Sequence, residues 1–274
     1  MKLDAPLRIL HAADLHYDLH KFDWVVDVAG EVDLVILAGD HLEIANQIQR
    51  PAQAVVIRKY FQRINNRTRL IVCSGNHDLD ERDEFGELIS KWVANARLFG
   101  IPTDGDSPVI GDTLFSICPW RDGKNAEYDI RQQLERDAQQ GADRWVWIHH
   151  APPEGSPTGW DGRMCYGDEE LRRWIKHYQP DLVFSGHVHQ SPYIKDGSWV
   201  DRIGKTWVFN GGHQPGRVPS HVLIDTDLQK AFWKSAYGAS TVSLDMAFDH
   251  PAPPMTDPPE WVRIMDRWAI PNQA

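Results

Sequence analysis

Short apolar runs recur along the chain, and in its first half each stops on a cluster of polar residues. Leu7 to His11 leads into Asp14 and His16, Asp33 to Ala38 into Gly39 and Asp40, and Arg69 to Cys73 into Gly75, Asn76 and His77. Further apolar runs cover Leu114 to Cys118, Trp145 to His149, Asp181 to Phe184 and Trp207 to Phe209. Their length and turn-rich borders predict strands. Helical patterns fall between them, over Pro51 to Ile64, Phe85 to Ala96, Asp129 to Gln139 and Glu169 to His177. This alternation is the rhythm of an α/β layered fold. Each polar cluster then lies just past a strand's carboxyl end, where loops converge and ligands collect in open α/β sheets. From Met246 onward prolines gather in two short clusters, which predicts an extended tail. Within that tail Trp261, Ile264, Met265 and Trp268 recur at helical spacing, as in a short amphipathic helix docking back on the body of the protein. The expected organisation is one domain over residues 1–245 and a Pro-rich tail with a docking helix over 246–274.

Composition narrows the classes. Hydrophobic residues at 42% and charged residues at 25% match a globular chain and not a disordered one. The 29 Lys and Arg against 39 Asp and Glu give a net charge of -10, which disfavours tight, sequence-independent binding to long nucleic acids. No apolar stretch reaches the roughly 18 residues of a membrane span, and the opening residues carry charge where a signal peptide needs an apolar core. A cytoplasmic protein without a membrane role is expected. Cys73, Cys118 and Cys165 are odd in number and lack paired spacing, so they are read as reduced thiols, the first two as packing residues.

The polar clusters form an ordered set: Asp14-Leu15-His16, Gly39-Asp40, Gly75-Asn76-His77-Asp78, His149-His150 and Gly186-His187-Val188-His189. Singly, each is as well explained by a cap, a turn or a hydrogen-bonded histidine. Together they supply carboxylate oxygen, amide oxygen and imidazole nitrogen but no thiolate. That donor set suits divalent manganese, iron, zinc or nickel. If two ions share the donors, Asp40 is the natural bridge, because a carboxylate offers two oxygens and its charge offsets the repulsion between dications. In the pairs Asp14/His16 and His187/His189, alternation along an extended loop would point both side chains one way.

These motifs, from Asp14 to His189, resemble those of the calcineurin-like metallophosphoesterase superfamily. The resemblance implies a four-layer αββα sandwich, two mixed β-sheets flanked by helices, with a dinuclear centre above it. It further implies that Asp14, His16, Asp40 and His189 hold one metal, while Asp40, Asn76, His150 and His187 hold the other. Of the adjacent pair, His150 is the implied ligand because similar proteins place a small residue and Pro-Pro after it, as in His150-Ala151-Pro152-Pro153. His77 would be the acid that protonates the leaving oxygen, with Asp78 orienting it or capping a turn. The implied reaction is in-line attack on phosphorus by a hydroxide shared between the two cations.

His41-Leu42-Glu43 follows Asp40 where phosphoprotein phosphatases have Asp-Arg-Gly, and the metal-binding Tyr of purple acid phosphatases has no counterpart nearby. The opening Ile9 to His16 is similar to those of bacterial cyclic-nucleotide phosphodiesterases and of double-strand-break repair nuclease subunits. The short stretch beyond His189 favours a small phosphodiesterase acting on a small-molecule or nucleotide ester, with phosphomonoesters as further substrates. A nuclease is the alternative, and an inactive scaffold is disfavoured by the complete ligand set. Arg121 is a candidate phosphate contact against an exposed salt bridge. The loop over 155–167 holds Trp160, Arg163 and Tyr166, and as a mobile loop with an aromatic and a cation it is a candidate to clamp a nucleotide, Trp160 and Arg163 foremost, against core packing of the Trp. His41 is a candidate for the pocket wall against a structural role.

Overall fold

The computed structural model describes residues 7–265. In chain order the elements are β1 (Arg8–Ala12), α1 (Leu19–Val28), β2 (Leu34–Ala38), α2 (Arg50–Asn65), β3 (Arg69–Cys73), β4 (Glu81–Arg82), β5 (Leu88–Ile89) and α3 (Lys91–Ala94). There follow β6 (Val109–Ile110), β7 (Thr113–Ile117), α4 (Lys124–Ala138), β8 (Arg144–Ile148), α5 (Glu169–Tyr178) and β9 (Leu182–Ser185). The last are β10 (Val200–Ile203), β11 (Thr206–Asn210), β12 (His221–Asp225), β13 (Lys230–Ser235), β14 (Gly238–Ser243) and α6 (Glu260–Ile264).

Two mixed six-stranded sheets stack face to face. One runs in the order β14-β13-β12-β1-β2-β3 and the other β10-β11-β9-β8-β7-β6. The strands carrying the polar clusters are parallel neighbours: β1, β2 and β3 in the first sheet, β7, β8, β9 and β11 in the second. Alternate residues on them divide between clusters. On β2, Leu34, Ile36 and Ala38 face the layer between the sheets, while Val35 and Leu37 face the layer that holds α1 and α2. On β8 and β9, Val146, Ile148, Leu182 and Phe184 face the same inter-sheet layer, while Trp147 and Val183 pack with Ile130 and Leu134 of α4 and Leu171 of α5. Because both faces are covered, these strands are continuous apolar runs, which is why they are legible in sequence. The layers are therefore helix, sheet, sheet, helix, the αββα sandwich expected.

Helix ends are set by side chains. Asp168 caps α5 by accepting from Leu171 N at 2.9 Å, Glu169 and Glu170 follow in its first turn, and Gln179 ends it in a left-handed conformation. The helix expected over 85–96 is largely absent. Asp83 instead accepts from the backbone N–H groups of Phe85 and Glu87 at 2.9 and 2.8 Å, Gly86 takes φ +87°, and the segment turns as the β4-β5 hairpin before the single turn of α3. Glu87 then accepts from Asn125 N and Ala126 N at 2.8 and 3.0 Å, which is why α4 starts ahead of the expected Asp129.

The Pro-rich segment after Met246 lies beside β14, with Thr241 N donating to Pro253 O at 3.1 Å and Met255 N to Ala239 O at 2.9 Å. Trp261, Val262 and Met265 pack into the helix-side cluster of the first sheet, and Trp261 Nε1 donates to Asp225 Oδ2 at 3.0 Å. Trp268 lies outside the described residues. Among the described residues no helix is long and apolar enough to cross a membrane. Truncating Trp261 to Ala removes a buried indole, so the denaturant midpoint should fall by the equivalent of about 3 kcal/mol with an unchanged slope. A midpoint shift under about 0.5 kcal/mol would mean that the segment is peripheral to the fold.

Candidate metal centre

The loops after β1, β2, β3, β8 and β9 meet above the carboxyl ends of their strands, and backbone bonds zip the first two together. Asp14 N donates to Gly39 O at 3.1 Å, His16 N to Asp40 O at 3.0 Å and Tyr17 N to His41 O at 2.9 Å. The two sheets are tied at the same level. His150 at the end of β8 donates from Nδ1 to Ala38 O of β2 at 2.6 Å, and His11 Nε2 bonds Ser185 O of β9 at 2.9 Å. His11 is fully buried, and burial lowers its pKa to about 4, so it serves as a neutral brace.

Asp14, His16, Asp40 and His187 all adopt left-handed backbone, with φ of 56°, 46°, 52° and 68°. The loops are therefore not extended, and convergence does not come from strand-like alternation as expected. Left-handed turns aim these side chains, while Leu15 and Val188 between them stay buried. Such conformations are costly for residues with a Cβ and persist where surrounding bonds fix them. Close approach adds a second constraint. A Cβ on Gly75 would lie 2.2 Å from Asp40 Oδ1, and one on Gly186 2.5 Å from Asp14 Oδ2.

Each carboxylate uses part of its acceptor capacity on the opposite loop. Asp40 Oδ1 accepts from His77 N at 2.9 Å, and both oxygens of Asp14 lie 3.1 Å from His187 N. The remaining directions face imidazoles. Asp40 Oδ2 is 3.2 Å from His150 Nε2 and 3.9 Å from His16 Nε2, while Asp14 Oδ1 is 3.4 Å from His189 Nε2 and 3.8 Å from His150 Nε2. His16 Nε2 and His189 Nε2 are 3.0 Å apart, and Asn76 Oδ1 is 3.0 Å from His187 Nδ1. Three overlapping groups of donor atoms thus lie within 4.8 Å of one another: Asp14, His16 and His189; His16, Asp40 and His77; Asp40, His150 and His187.

This set fits divalent cations. Asp14 and Asp40 are buried, and among the described residues the groups within ion-pair distance of them are imidazoles, with no lysine or arginine. Burial opposes ionisation of Asp40, yet the neighbouring His150 holds it down to about 2, and the two carboxylates push His150 up to about 10 against burial. Burial brings His16 and His187 down to about 4, which leaves neutral nitrogens available as ligands. His150 Nδ1 is committed to Ala38 O while its buried Nε2 faces the two carboxylates, 3.2 Å from Asp40 Oδ2 and 3.8 Å from Asp14 Oδ1. One ring nitrogen anchored to a carbonyl and the other turned inward is the arrangement of a metal-binding imidazole.

Of the adjacent histidines it is His150 that joins the cluster; His149 bonds Ala151 O through Nδ1 at 2.9 Å and lines a neighbouring cavity. Asp78 makes no bond to the His77 ring. Its carboxylate accepts from the backbone N–H groups of His41, Leu42 and Gly75 at 2.9 to 3.1 Å, so of its two expected roles it fills that of clamping the turn. Burial and the Asp40 charge raise its pKa to about 7. His41 does not line the pocket. The left-handed Asp40 turns the next side chain inward, where His41 Nε2 bonds Cys73 O at 2.9 Å and the ring packs on Phe61 and Trp92.

Arg121 lines the cavity beside His187, but Asp168 and Glu127 hold its guanidinium at 2.8 and 3.3 Å. Trp160 and Arg163 are not among the residues that line this cavity. The loop folds back at Trp160 and Cys165, Trp160 Nε1 donates to Lys195 O at 3.1 Å, and Arg163 is exposed; Cys165 and Tyr166 take their place. Sequence reasoning gave no role to Glu43, whose carboxylate reaches His16 Nδ1 at 3.2 Å and His77 Nδ1 at 3.8 Å. An acidic residue three positions beyond the central aspartate was the available signal. Lys21, on α1, is also buried, with Nζ 3.3 Å from the His213 ring, and sequence reasoning gave it no role.

Residues 7–191 match the model of a family described as calcineurin-like phosphoesterase. No curated protein matches the sequence. Similar solved structures include TT1561 of Thermus thermophilus, with 14% identity and a TM-score of 0.54 over 88% of this chain and 100% of that one. A dimetal phosphatase from Danio rerio shows 11% identity and a TM-score of 0.52 over 88% of this chain and 100% of its own. A purple acid phosphatase from yellow lupin (Lupinus luteus) shows 13% identity and a TM-score of 0.52 over 90% of this chain and 53% of its own. At these identities the likeness is one of fold, whereas the family match spans most of the chain and every candidate ligand loop. The chain belongs to the calcineurin-like phosphoesterase family, and its centre is that of a metal-dependent phosphoesterase.

Proposed function

We propose that the protein hydrolyses phosphodiesters, and phosphomonoesters less efficiently, at a pair of divalent cations such as manganese, iron, zinc or nickel. The observation that carries this reading is the convergence of Asp14, His16, Asp40, Asn76, His150, His187 and His189 from separate loops, with two buried carboxylates balanced, among the described residues, by imidazoles. In this reading Asp14, His16, Asp40 and His189 hold one ion, and Asp40, Asn76, His150 and His187 the other. When bound, the ions supply Lewis acidity toward the phosphoryl oxygens and a nucleophile from water at neutral pH.

The remaining steps fall to the chain. His77 lies beside Asp40, its Nε2 4.0 Å from Asp40 Oδ2, and its side chain is part exposed, so it can meet the departing oxygen and protonate it. Glu43 lies within ion-pair distance of Nδ1 of both His16 and His77, at 3.2 and 3.8 Å, and its charge favours a proton on those nitrogens, which leaves Nε2 of each ring facing the cluster. Asp78 fixes the turn that presents Asp40 and His77. The acidic balance of the chain supports small esters over long nucleic acids as substrates.

Asp40→Asn and His187→Ala should lose bound metal and turnover together, whereas His77→Ala should keep its metal. The His77 variant is expected to lose on the order of a hundredfold in kcat on alkyl esters but under about tenfold on nitrophenyl esters, whose leaving groups need no proton. Equal losses on both ester classes would remove the acid role from His77, and full metal content in Asp40→Asn would remove the ligand role from Asp40. Glu43→Gln keeps the shape but not the charge behind His16. Its metal affinity, titrated against a chelator, should weaken about tenfold, and an unchanged affinity would show that Glu43 orients neither ring.

A further inference from the structure

The donor cluster is flanked by two cavities, one beside each half. The first, of about 280 Å³, is lined by His187 and by Trp120, Arg121, His149 and Tyr166 among others. Trp120 forms the wall nearest the cluster, its ring centroid 5.1 Å from that of His187 and 5.7 Å from that of His150. The second, of about 510 Å³, is lined by Pro192, Tyr193, His213, Pro215, Trp233 and Tyr237. His213 joins it to the other half of the cluster, stacking on His189 at 4.8 Å and meeting His16 edge-on at 5.5 Å. His213 is itself held in place by a bond from Nδ1 to Asp14 O at 2.6 Å.

Both cavities are aromatic, and among the described residues neither offers a free cation. In the first, Arg121 is already paired with Asp168 and Glu127. In the second, the lining contains no lysine, arginine or acidic residue. A second phosphate group would be poorly held in either, whereas a flat, uncharged group can lie against Trp120 and Tyr166, or against Tyr193, Trp233 and Tyr237. Each volume is near or within the range of small-molecule sites. The polar edge of such a group would find His149 in the first cavity, whose buried Nε2 has no hydrogen-bond partner.

We infer that the substrate is a phosphodiester carrying a planar, uncharged organic group on each ester oxygen, one seated in the Trp120–Tyr166 cavity and the other in the Tyr193–Tyr237 cavity. This rests on the hydrolytic reading above and adds to it what lies on either side of phosphorus. A phosphate placed at the cluster has one cavity beside the His187 half and one beside the His189 half, so a diester fills both and a monoester fills one.

The test uses the metal-loaded chain, three esters and two substitutions at exposed positions outside the ligand set, Tyr166→Ala and Tyr237→Ala. On bis(4-nitrophenyl) phosphate each variant should raise KM about tenfold, and Tyr166→Phe and Tyr237→Phe should restore it. On methyl 4-nitrophenyl phosphate only the variant on the leaving-group side should raise KM, because the methyl group makes no use of the other cavity. On 4-nitrophenyl phosphate the pattern should match that of the methyl ester. The Kd of diphenyl phosphate, read by calorimetry on metal-loaded and metal-stripped chain, should weaken in both Ala variants. If either variant leaves both KM for the bis-ester and Kd unchanged, or if both variants impair the methyl ester equally, the two-cavity assignment is wrong. Failure of the metal-loaded wild type to turn over any of the three esters would strike the hydrolytic reading itself, and the inference with it.

Discussion

Two carboxylates, Asp14 and Asp40, are buried at the meeting point of five loops with histidines as their only ion-pair partners among the described residues. Buried charge without compensation is among the costliest features a fold can carry. Much of the surrounding structure follows from that constraint. The imidazoles crowd around the carboxylates, with His150 Nδ1 tied to Ala38 O and His16 Nδ1 3.2 Å from Glu43, and the closest pair of ring nitrogens sits 3.0 Å apart. A cation among these atoms offsets the negative charge and takes the place of the hydrogen bond between His16 and His189.

Holding the donors in that arrangement requires backbone that ordinary packing would not select. Four of the candidate ligands take left-handed φ, and glycines 75 and 186 sit where a Cβ would strike a carboxylate. The compensation is rigidity below. The apolar strands β1, β2, β3, β8 and β9 are covered on both faces, and the bonds from His150 to Ala38 and from His11 to Ser185 lock one sheet to the other directly beneath the site. The αββα sandwich thus acts as a clamp whose jaws are the two sheets, with the metal centre between their carboxyl ends.

The strands and the ligand loops were legible in sequence because both are strongly constrained. A strand buried on both faces must be apolar throughout, and a metal site must end such runs in Asp, Asn or His. The β13 and β14 strands, which carry Lys230, Lys234 and Thr241, were missed because their polar positions break the run, and β12 was missed with an apolar run only three residues long, Val222 to Ile224, between His221 and Asp225. The helix over 85–96 was misread because Asp83 and Gly86 stabilise a turn more locally than periodicity can register. Function around the metals was less legible still. His41 follows the central aspartate yet points into the core, and Trp160 and Arg163 stand in the right loop on the wrong side of its fold-back, which leaves Tyr166 at the cavity. Which way a loop residue faces depends on left-handed turns and distant carbonyls, neither of which has a local sequence signature.

The most direct measurement is anomalous diffraction at the metal edge from crystals of the metal-loaded chain, paired with metal content per chain in solution. The expected result is two ions about 3.5 to 4 Å apart, bridged by Asp40, with Asp14, His16 and His189 on one and Asn76, His150 and His187 on the other. A fully loaded chain with a single ion, or with ions bound away from these residues, would contradict it.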